Sequence, residues 1–241
     1  MPDPSAIRVR PYRAGDEHEL AALFRRSFGR PSTDAHWRWK LRWPECPVDN
    51  VWLAQAEDRL VFQYAGIPTR FSLNHRPADM MVSVDTMTAP EFRRRGLLTR
   101  VASEAYARWR DAGIAFVMGL PNDQWGSRSD ALGWQPLFPL QWLARPLHPE
   151  VILARRWRAP LLNRATLPAA LWNGLWDARV RADPSVRLEQ VSAAGDAFDD
   201  LWRTVEPGWA LSTIRDRRWV DWRFLKSPTR AYSVTDRKAH V

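Results

Sequence analysis

The sequence predicts a mixed α/β fold with a central sheet flanked by helices, and two observations predict it. Extended apolar runs alternate with helical patterns through residues 6–147, and one strand enters a helix through a glycine-containing turn before another strand follows. Such a strand–helix–strand unit places parallel strands side by side, whereas tight turns join antiparallel ones, so we expect both pairings in one sheet. A hydrophobic content of 45% over 241 residues suffices for its core.

Alternating apolar residues, capping residues and breaks predict the elements before residue 75. The first is a strand at 7–12, and Asp16 is placed to cap a helix that ends near Phe28. Helical periodicity predicts a helix at 34–42, which Pro44 and Pro47 end. Strands are expected at 51–56 and 60–67, joined by the charged turn at 57–59. Residues 68–74 extend the second strand or begin a new one.

The segment after an extended run at 80–88 is the most informative part of the chain. Ala89-Pro90 breaks that run, Arg93-Arg94-Arg95-Gly96 follows, and a helical pattern to about Arg110 begins at once. Free N–H groups of a first helical turn point at a ligand, the helix dipole favours negative charge, and arginine suits phosphate oxygens. The pattern predicts a pyrophosphate site, although it is neither a P-loop nor a Gly-x-Gly-x-x-Gly motif.

With its flanks, this segment resembles the acetyl-CoA loop of the GNAT acyltransferase superfamily, usually Arg/Gln-x-x-Gly-x-Gly/Ala after a strand that ends in an x-Pro turn. Arg93, Gly96 and the Thr88-Ala89-Pro90 turn match that pattern. Two later stretches, Phe116–Asn122 and Ala131–Trp134, resemble the superfamily's fifth strand with its cofactor-contacting Asn, and the end of its next helix. The resemblance covers residues 6–147 and implies a GNAT-like fold and an acetyltransferase that uses acetyl-CoA. Apolar patterns predict the remaining elements: a strand at 114–120, a short helix at 123–132 and a strand at 137–143.

The resemblance also implies which residues hold acetyl-CoA. Backbone groups of Met87 and Thr88 bind the pantetheine arm, and Asn122 bonds its amides, with a helix N-cap as the alternative role of Asn122. The pyrophosphate is held by the loop and the first helical turn, which together are Arg93, Arg94, Arg95, Gly96, Leu97, Leu98 and Thr99. A solvated turn is the alternative role of the three arginines. Leu98 stands where the family has a small residue, which places the backbone slightly further from the phosphates.

Two residues are the catalytic candidates. A general base must take a proton from the incoming ammonium, and Asp85 lies on the strand beside the expected acyl group, with a surface salt bridge as its alternative role. Where the family often has a tyrosine that protonates the departing thiolate, this chain has Ser129. Ser127 or Ser129 relays a proton, water supplies it, or catalysis has been lost. The substrate groove is expected across the splayed strands, between residues 37–43 and 68–78.

We expect three parts along the chain. They are a GNAT-like acetyl-CoA-binding domain at 1–148, a helical linker at 149–185, and a partial second GNAT-like module at 186–241. The last part repeats the first, because Ala14-Gly15-Asp16 recurs as Ala194-Gly195-Asp196 and Trp39 recurs as Trp222. Chance similarity of short helices is the alternative. The second copy stops at about its second strand and is expected to be C-terminally incomplete.

The sequence therefore predicts an acetyl-CoA-dependent N-acyltransferase that acetylates an amine of an unidentified small molecule or protein by direct transfer. The alternatives are a non-catalytic CoA-binding protein, a CoA-independent aminoacyl transferase and a basic nucleic-acid-binding protein. A net charge of +9 suits an anionic ligand, but acids and bases are interspersed, which disfavours nucleic acid. The single cysteine and five histidines show no metal spacing, so no metal is expected. Without a visible signal peptide or a long apolar span, we expect a cytoplasmic protein.

Overall fold

A mixed sheet of six strands is the scaffold of the chain in a computed structural model. The structure describes residues 7–41, 48–121, 125, 128–141, 143, 148, 151–152, 155–156, 171, 173–175 and 186–239. In chain order the elements are β1 (Ile7–Pro11), α1 (Glu17–Phe28), α2 (Asp34–Leu41), β2 (Val51–Ala56), β3 (Arg59–Leu73), β4 (Arg76–Thr88), a 3₁₀ turn (Pro90–Phe92), α3 (Leu97–Asp111), β5 (Phe116–Gly119), α4 (Arg128–Ala131), β6 (Val186–Val191), α5 (Asp196–Val205), a 3₁₀ turn (Glu206–Gly208), β7 (Leu211–Thr213), α6 (Arg217–Val220), a π-helical turn (Asp221–Leu225) and β8 (Val234–Ala239).

The sheet contains both antiparallel and parallel pairs, as predicted. Its order is β1-β2-β3-β4-β5, and β7 pairs with the end of β3. All these pairs are antiparallel except β4 with β5, which are connected through α3 and lie parallel. A crossover helix is the ordinary connection between parallel neighbours, because a tight turn cannot reverse the chain twice. The predicted mixed α/β class is therefore confirmed.

Apolar faces of α1 and α3 cover the sheet. On α1, Leu20 and Leu23 are fully buried, and Gly29 ends the helix in the left-handed conformation that glycine adopts without strain. On α3, the spacing of Val101, Ala105 and Trp109 places all three on one face, and each is almost completely buried. This packing fixes the start of α3 relative to the end of β4, which is where the arginine loop lies.

Some elements differ from those predicted. Strands β3 and β4 are longer and form one hairpin, which turns at Asn74 and His75, both with positive φ. No strand forms over the described residues of 137–143, where Leu137 is 77% and Leu143 is 92% exposed, because no neighbouring strand buries that alternation. Strands β6 and β7 were not predicted. With only three residues, β7 is too short to show an alternating pattern.

The chain divides into two compact units. One contains residues 1–135 and 190–234, and the other contains residues 136–189 and 235–241. Most of the predicted C-terminal module therefore belongs to the same unit as the N-terminal domain, because β7 joins the main sheet through β3. The predicted repeat stays a prediction; the elements of the two segments run in the order β1-α1-α2-β2 and β6-α5-β7-α6-β8. Strands β6 and β8 pair with each other, as β1 and β2 do.

Two tryptophans join the N-terminal and C-terminal segments within the first unit. The Trp39 and Trp222 rings are stacked with their centroids 5.4 Å apart. The indole N–H of Trp39 donates to the carbonyl of Trp222 at 2.8 Å, and the indole N–H of Trp222 donates to the carbonyl of Trp39 at 3.1 Å. The contact is reciprocal, and its members are the two residues that the sequence comparison aligns.

Candidate active site

Strands β4 and β5 pair only along part of their length. The ladder joins Met80–Ser83 to Phe116–Gly119, and β4 then continues to Thr88 while β5 ends. Beyond Ser83 one edge of β4 is therefore not paired with β5. The backbone N–H of Ala89 donates to β3, and since N–H directions alternate along a strand, the N–H of Thr88 points to the other edge. The separation of the strands creates a slot lined by backbone polar groups.

A β-bulge lies where the strands separate. On β3, Gln63 pairs with Met87 and Ala65 pairs with Val84, so Asp85 and Thr86 together face one residue. Asp85 has a φ of 46°, which is unusual for a residue other than glycine. The Gln63 side-chain amide stabilises this backbone by donating to the Asp85 carbonyl at 3.0 Å. Such bulges redirect a side chain, and here the redirected side chain is a carboxylate.

The arginine loop forms the start of α3 as predicted. Gly96 adopts φ 73° as the residue before the helix, and Arg94 adopts φ 60°. The first intrahelical bond runs from the N–H of Arg100 to the carbonyl of Gly96. The amides of Leu97, Leu98 and Thr99 therefore have no carbonyl partner within the helix and point out of its N-terminus. This geometry suits an anion.

The three loop arginines have different surroundings. Arg93 donates to the carbonyls of Ser27 at 3.2 Å and Thr88 at 3.4 Å, and Arg95 donates to the carbonyl of Glu91 at 2.9 Å. These two side chains stabilise the loop. Arg94 is exposed, and its guanidinium has no recorded bond to any residue that the structure describes. Among the three, Arg94 is thus the arginine best placed to bind a ligand.

One cleft connects the strand separation, the bulge and the helix start. Its volume is about 1350 Å³. Among the described residues that line it, six are basic and one is acidic: Arg30, Lys40, Arg93, Arg94, Arg95, Arg230 and Asp85. The balance favours an anionic ligand.

Asp85 is paired with a lysine inside this cleft. The Lys40 ammonium contacts the Asp85 carboxylate, and the two side chains are only 19% and 21% exposed. His36 lies one helical turn before Lys40 and also lines the cleft, and its Nδ1 is buried without a hydrogen-bond partner. Burial lowers the pKa of His36 and Lys40 lowers it further, while Asp85 raises it in part. The imidazole is therefore neutral at pH 7.

A buried polar network supports the opposite wall. The Tyr64 and Tyr106 hydroxyls are 2.6 Å apart, and the Trp134 indole N–H donates to Tyr106 at 2.9 Å. Burial raises the pKa of the Tyr64 hydroxyl well above its usual value, so it is a weak acid. The network holds the Trp134 ring over Gly119, where a Cβ would lie 2.7 Å from the ring. Sequence reasoning missed both tyrosines; the signal for Tyr106 is its place four residues after Ala102 and three before Trp109, both on the apolar face of α3.

The other predicted site residues are placed as follows. Met87 is buried, and Thr88 ends β4 and lines the cleft. Asn122 lies outside the described residues, and Ser129 is described only as a backbone position in α4. The predicted walls of the groove are wrong in part. Trp37 is fully buried in the core, and residues 68–73 and 76–78 are paired in the β3–β4 hairpin, whereas His36 and Lys40 of α2 line the cleft.

The described part of the chain offers neither a metal site nor a membrane span. No group of three or more His, Cys, Asp and Glu side chains there could hold a metal ion. Nor does any described helix have the length and apolar character needed to cross a membrane.

Comparison with known proteins identifies a family. Residues 8–135 match the model of the acetyltransferase (GNAT) domain. Glucosamine-6-phosphate N-acetyltransferase from Arabidopsis thaliana is 11% identical, with 58% of this chain and 99% of that chain covered and a TM-score of 0.47. An acetyltransferase from Trypanosoma brucei is 13% identical over 58% and 99% of the two chains, with a TM-score of 0.46. An aminoglycoside N-acetyltransferase in complex with CoA is 13% identical over 60% and 98%, with a TM-score of 0.45. No curated protein sequence matches the chain.

Proposed function

Since the chain belongs to the GNAT acetyltransferase family, whose model matches just over half of its residues, we propose that it transfers the acetyl group of acetyl-CoA directly to an amine. The family and the enzyme class predicted from the arginine loop are confirmed by that match. One observation carries the proposal: the redirected carboxylate of Asp85 and the N-terminus of α3 line the same cleft. Phosphate binding and proton removal are the two tasks that acyl transfer from a thioester to an ammonium requires of the protein.

In this proposal, the end of β4 and the start of α3 hold acetyl-CoA. The amides of Leu97, Leu98 and Thr99 and the guanidinium of Arg94 bind the pyrophosphate, and Arg93 and Arg95 keep the loop in shape. Backbone groups of Met87 and Thr88 bind the pantetheine arm in the slot, together with Asn122. The residues fit this ligand because the slot offers polar backbone groups and the cleft is basic.

The proton chemistry is assigned to Asp85. The acceptor arrives as an ammonium ion and replaces the Lys40 ammonium at the Asp85 carboxylate. That carboxylate then takes the proton that the amine must lose before it attacks. A free N–H on the edge of β4 stabilises the developing oxyanion. Ser129 or water returns a proton to the departing thiolate. The acceptor is an amine of a small molecule or of a protein.

Calorimetric titration of acetyl-CoA tests the binding half of the proposal. Arg94→Ala is expected to weaken binding about tenfold, the loss that one charge-assisted hydrogen bond produces. The matched control is Arg110→Ala, which removes an arginine whose side chain is 78% exposed at the far end of α3. Equal affinities of the two variants would contradict the assignment of the pyrophosphate site.

Release of CoA thiol in the presence of a panel of amines tests the catalytic half. We expect thiol release with at least one amine, and a loss of about 100-fold in kcat/KM for Asp85→Asn. Tight acetyl-CoA binding without transfer to any amine would instead support a non-catalytic CoA-binding protein, the alternative that the Lys40–Asp85 pair favours. A folded protein that does not bind acetyl-CoA would refute the proposal altogether.

A further inference from the structure

Lysine is rare in this chain and one lysine lies in the cleft. The 36 basic residues include only Lys40, Lys226 and Lys238, and the others are arginines. A lysine ε-amine can be acylated after it loses a proton, whereas a guanidinium stays protonated and is a poor nucleophile. Among the described residues that line the cleft, Lys40 is the lysine. It is thus a primary amine that the described part of the protein supplies to this site.

The position of Lys40 matches that of an acceptor. Its ammonium is bound by Asp85, the carboxylate to which the proposed function assigns the acceptor ammonium. Asp85 lies two residues beyond Ser83, where β4 and β5 separate, and a strand advances ~3.3 Å per residue. The backbone of Asp85 is therefore at most ~7 Å along β4 from the mouth of the slot, and its ion pair holds the lysine amine at that carboxylate. The pair is mostly shielded from solvent, which keeps the amine at this carboxylate.

We propose that Lys40 is a self-acetylation site: bound acetyl-CoA transfers its acetyl group to the ε-amine of Lys40. The proposal rests on the proposed function, because it uses the same donor and the same carboxylate. Its novelty is the acceptor, which is a side chain of the protein itself.

The reaction balances as an ordinary acyl transfer. The Lys40 ammonium gives one proton to Asp85, and the neutral nitrogen attacks the thioester carbonyl, which forms a tetrahedral oxyanion. That intermediate collapses to an amide, the carbon–sulfur bond breaks, and the nitrogen gives its second proton to water as the amide forms. The CoA thiolate leaves with the bonding electrons and is protonated by water. No oxidant or other reactant is needed.

Acetylation would change the site that performs it. The amide of acetyl-lysine carries no charge, so it cannot form the ion pair with Asp85. The carboxylate is then available to the ammonium of an external amine. Lys40 thus occupies the acceptor position before modification and leaves it afterwards.

Peptide mapping by mass spectrometry tests the proposal on the full chain. The protein is incubated with acetyl-CoA and no other amine, and acetylation of Lys40 and Lys226 is followed over time. Lys226 is a matched internal control, because it is also paired with an aspartate but its side chain is 70% exposed. We expect Lys40 to be acetylated at least on the order of 100-fold faster, the advantage of a positioned over an unpositioned amine.

Two variants separate enzymatic transfer from spontaneous acylation. Asp85→Asn should slow the modification of Lys40 at least about tenfold and leave Lys226 unaffected. Arg94→Ala changes neither member of the ion pair. It should slow the modification of Lys40 at low acetyl-CoA concentration, and the rate should return to the wild-type value at saturating acetyl-CoA. If both variants modify Lys40 at the wild-type rate, or if Lys40 and Lys226 react equally fast, the proposal is wrong.

The same samples distinguish this failure from failure of the proposed function. If the protein binds acetyl-CoA and acetylates an external amine while Lys40 stays unmodified, the self-acetylation is refuted and the proposed function stands. If it neither binds acetyl-CoA nor acetylates any amine, the proposed function is refuted and the self-acetylation with it.

Discussion

The reciprocal contact between Trp39 and Trp222 makes a quantitative prediction about stability. Each Trp→Phe change keeps a ring in the stack and removes one N–H, so one carbonyl loses its donor. A neutral hydrogen bond contributes about 1 kcal/mol to the free energy of unfolding. Because the two bonds are separate, the double Phe variant should lose about 2 kcal/mol, the sum of the single losses.

Alanine variants should behave differently at the same two positions. Each single Trp→Ala change removes its own hydrogen bond and also the stack, but the stack can be lost only once. An aromatic pair is worth about 1 kcal/mol beyond its buried area. The double Ala variant of Trp39 and Trp222 should therefore lose about 1 kcal/mol less than the sum of the two single losses.

Urea unfolding followed by circular dichroism measures these free energies. Trp209→Phe is the control, because Trp209 is 60% exposed and a surface change of this kind should shift stability by less than about 0.5 kcal/mol. The reasoning is refuted if Trp39→Phe is as stable as the wild type, or if the Ala losses are strictly additive. The first result would mean that the Trp39 hydrogen bond does not stabilise the protein, and the second that the stack contributes nothing to holding the C-terminal segment in this unit.

Three further predictions concern the interior. Burial lowers the pKa of His36 in the folded state, so the unfolded chain binds more protons and the free energy of unfolding should fall as the pH drops below about 6.5. Urea titrations from pH 5 to 8 should show this slope, and His36→Gln should remove it. Gly66→Val should cost about 1–3 kcal/mol in thermal unfolding, because a Cβ at Gly66 would already lie 3.0 Å from the Trp109 ring; an unchanged melting temperature would contradict this packing. Tyr106→Phe should cost about 1–3 kcal/mol by urea titration, because it leaves the buried Tyr64 hydroxyl with one partner fewer; a neutral change would show that the network is not stabilising.

Local patterns predicted the elements that depend on local chemistry. The apolar positions of α1 and α3 repeat at helical spacing, and Gly96 occupies the positive-φ position that begins α3, so periodicity and turn chemistry were sufficient there. The place of the loop arginines before the start of α3, where an anion site stays a prediction, was also found from sequence, because a helix N-terminus is built from consecutive residues. Their separate surroundings were not, since Arg93 bonds Ser27, which lies 66 positions away.

Tertiary contacts decided what the sequence could not. The bulge at Asp85 depends on a register shift opposite Tyr64, and a strand pattern contains no signal for the extra residue. The pairing of Lys40 with Asp85 joins a helix to a strand across 45 positions, so only the fold brings them together. The failed strand at 137–143 shows the converse, because an alternating pattern forms a strand only where a neighbouring strand accepts it.

The exchange of the same bond in both directions between Trp39 and Trp222 is the pattern that a two-fold axis generates. A surface patch with this property is complementary to itself, so two separate copies of the segment that carries it can associate before either patch has changed. Joining two such copies in one polypeptide then turns an encounter between molecules into an intramolecular one with a high effective concentration. Because both tryptophans of the contact lie in one polypeptide here, either can change without forcing the same change on the other, which a contact between two identical chains does not allow.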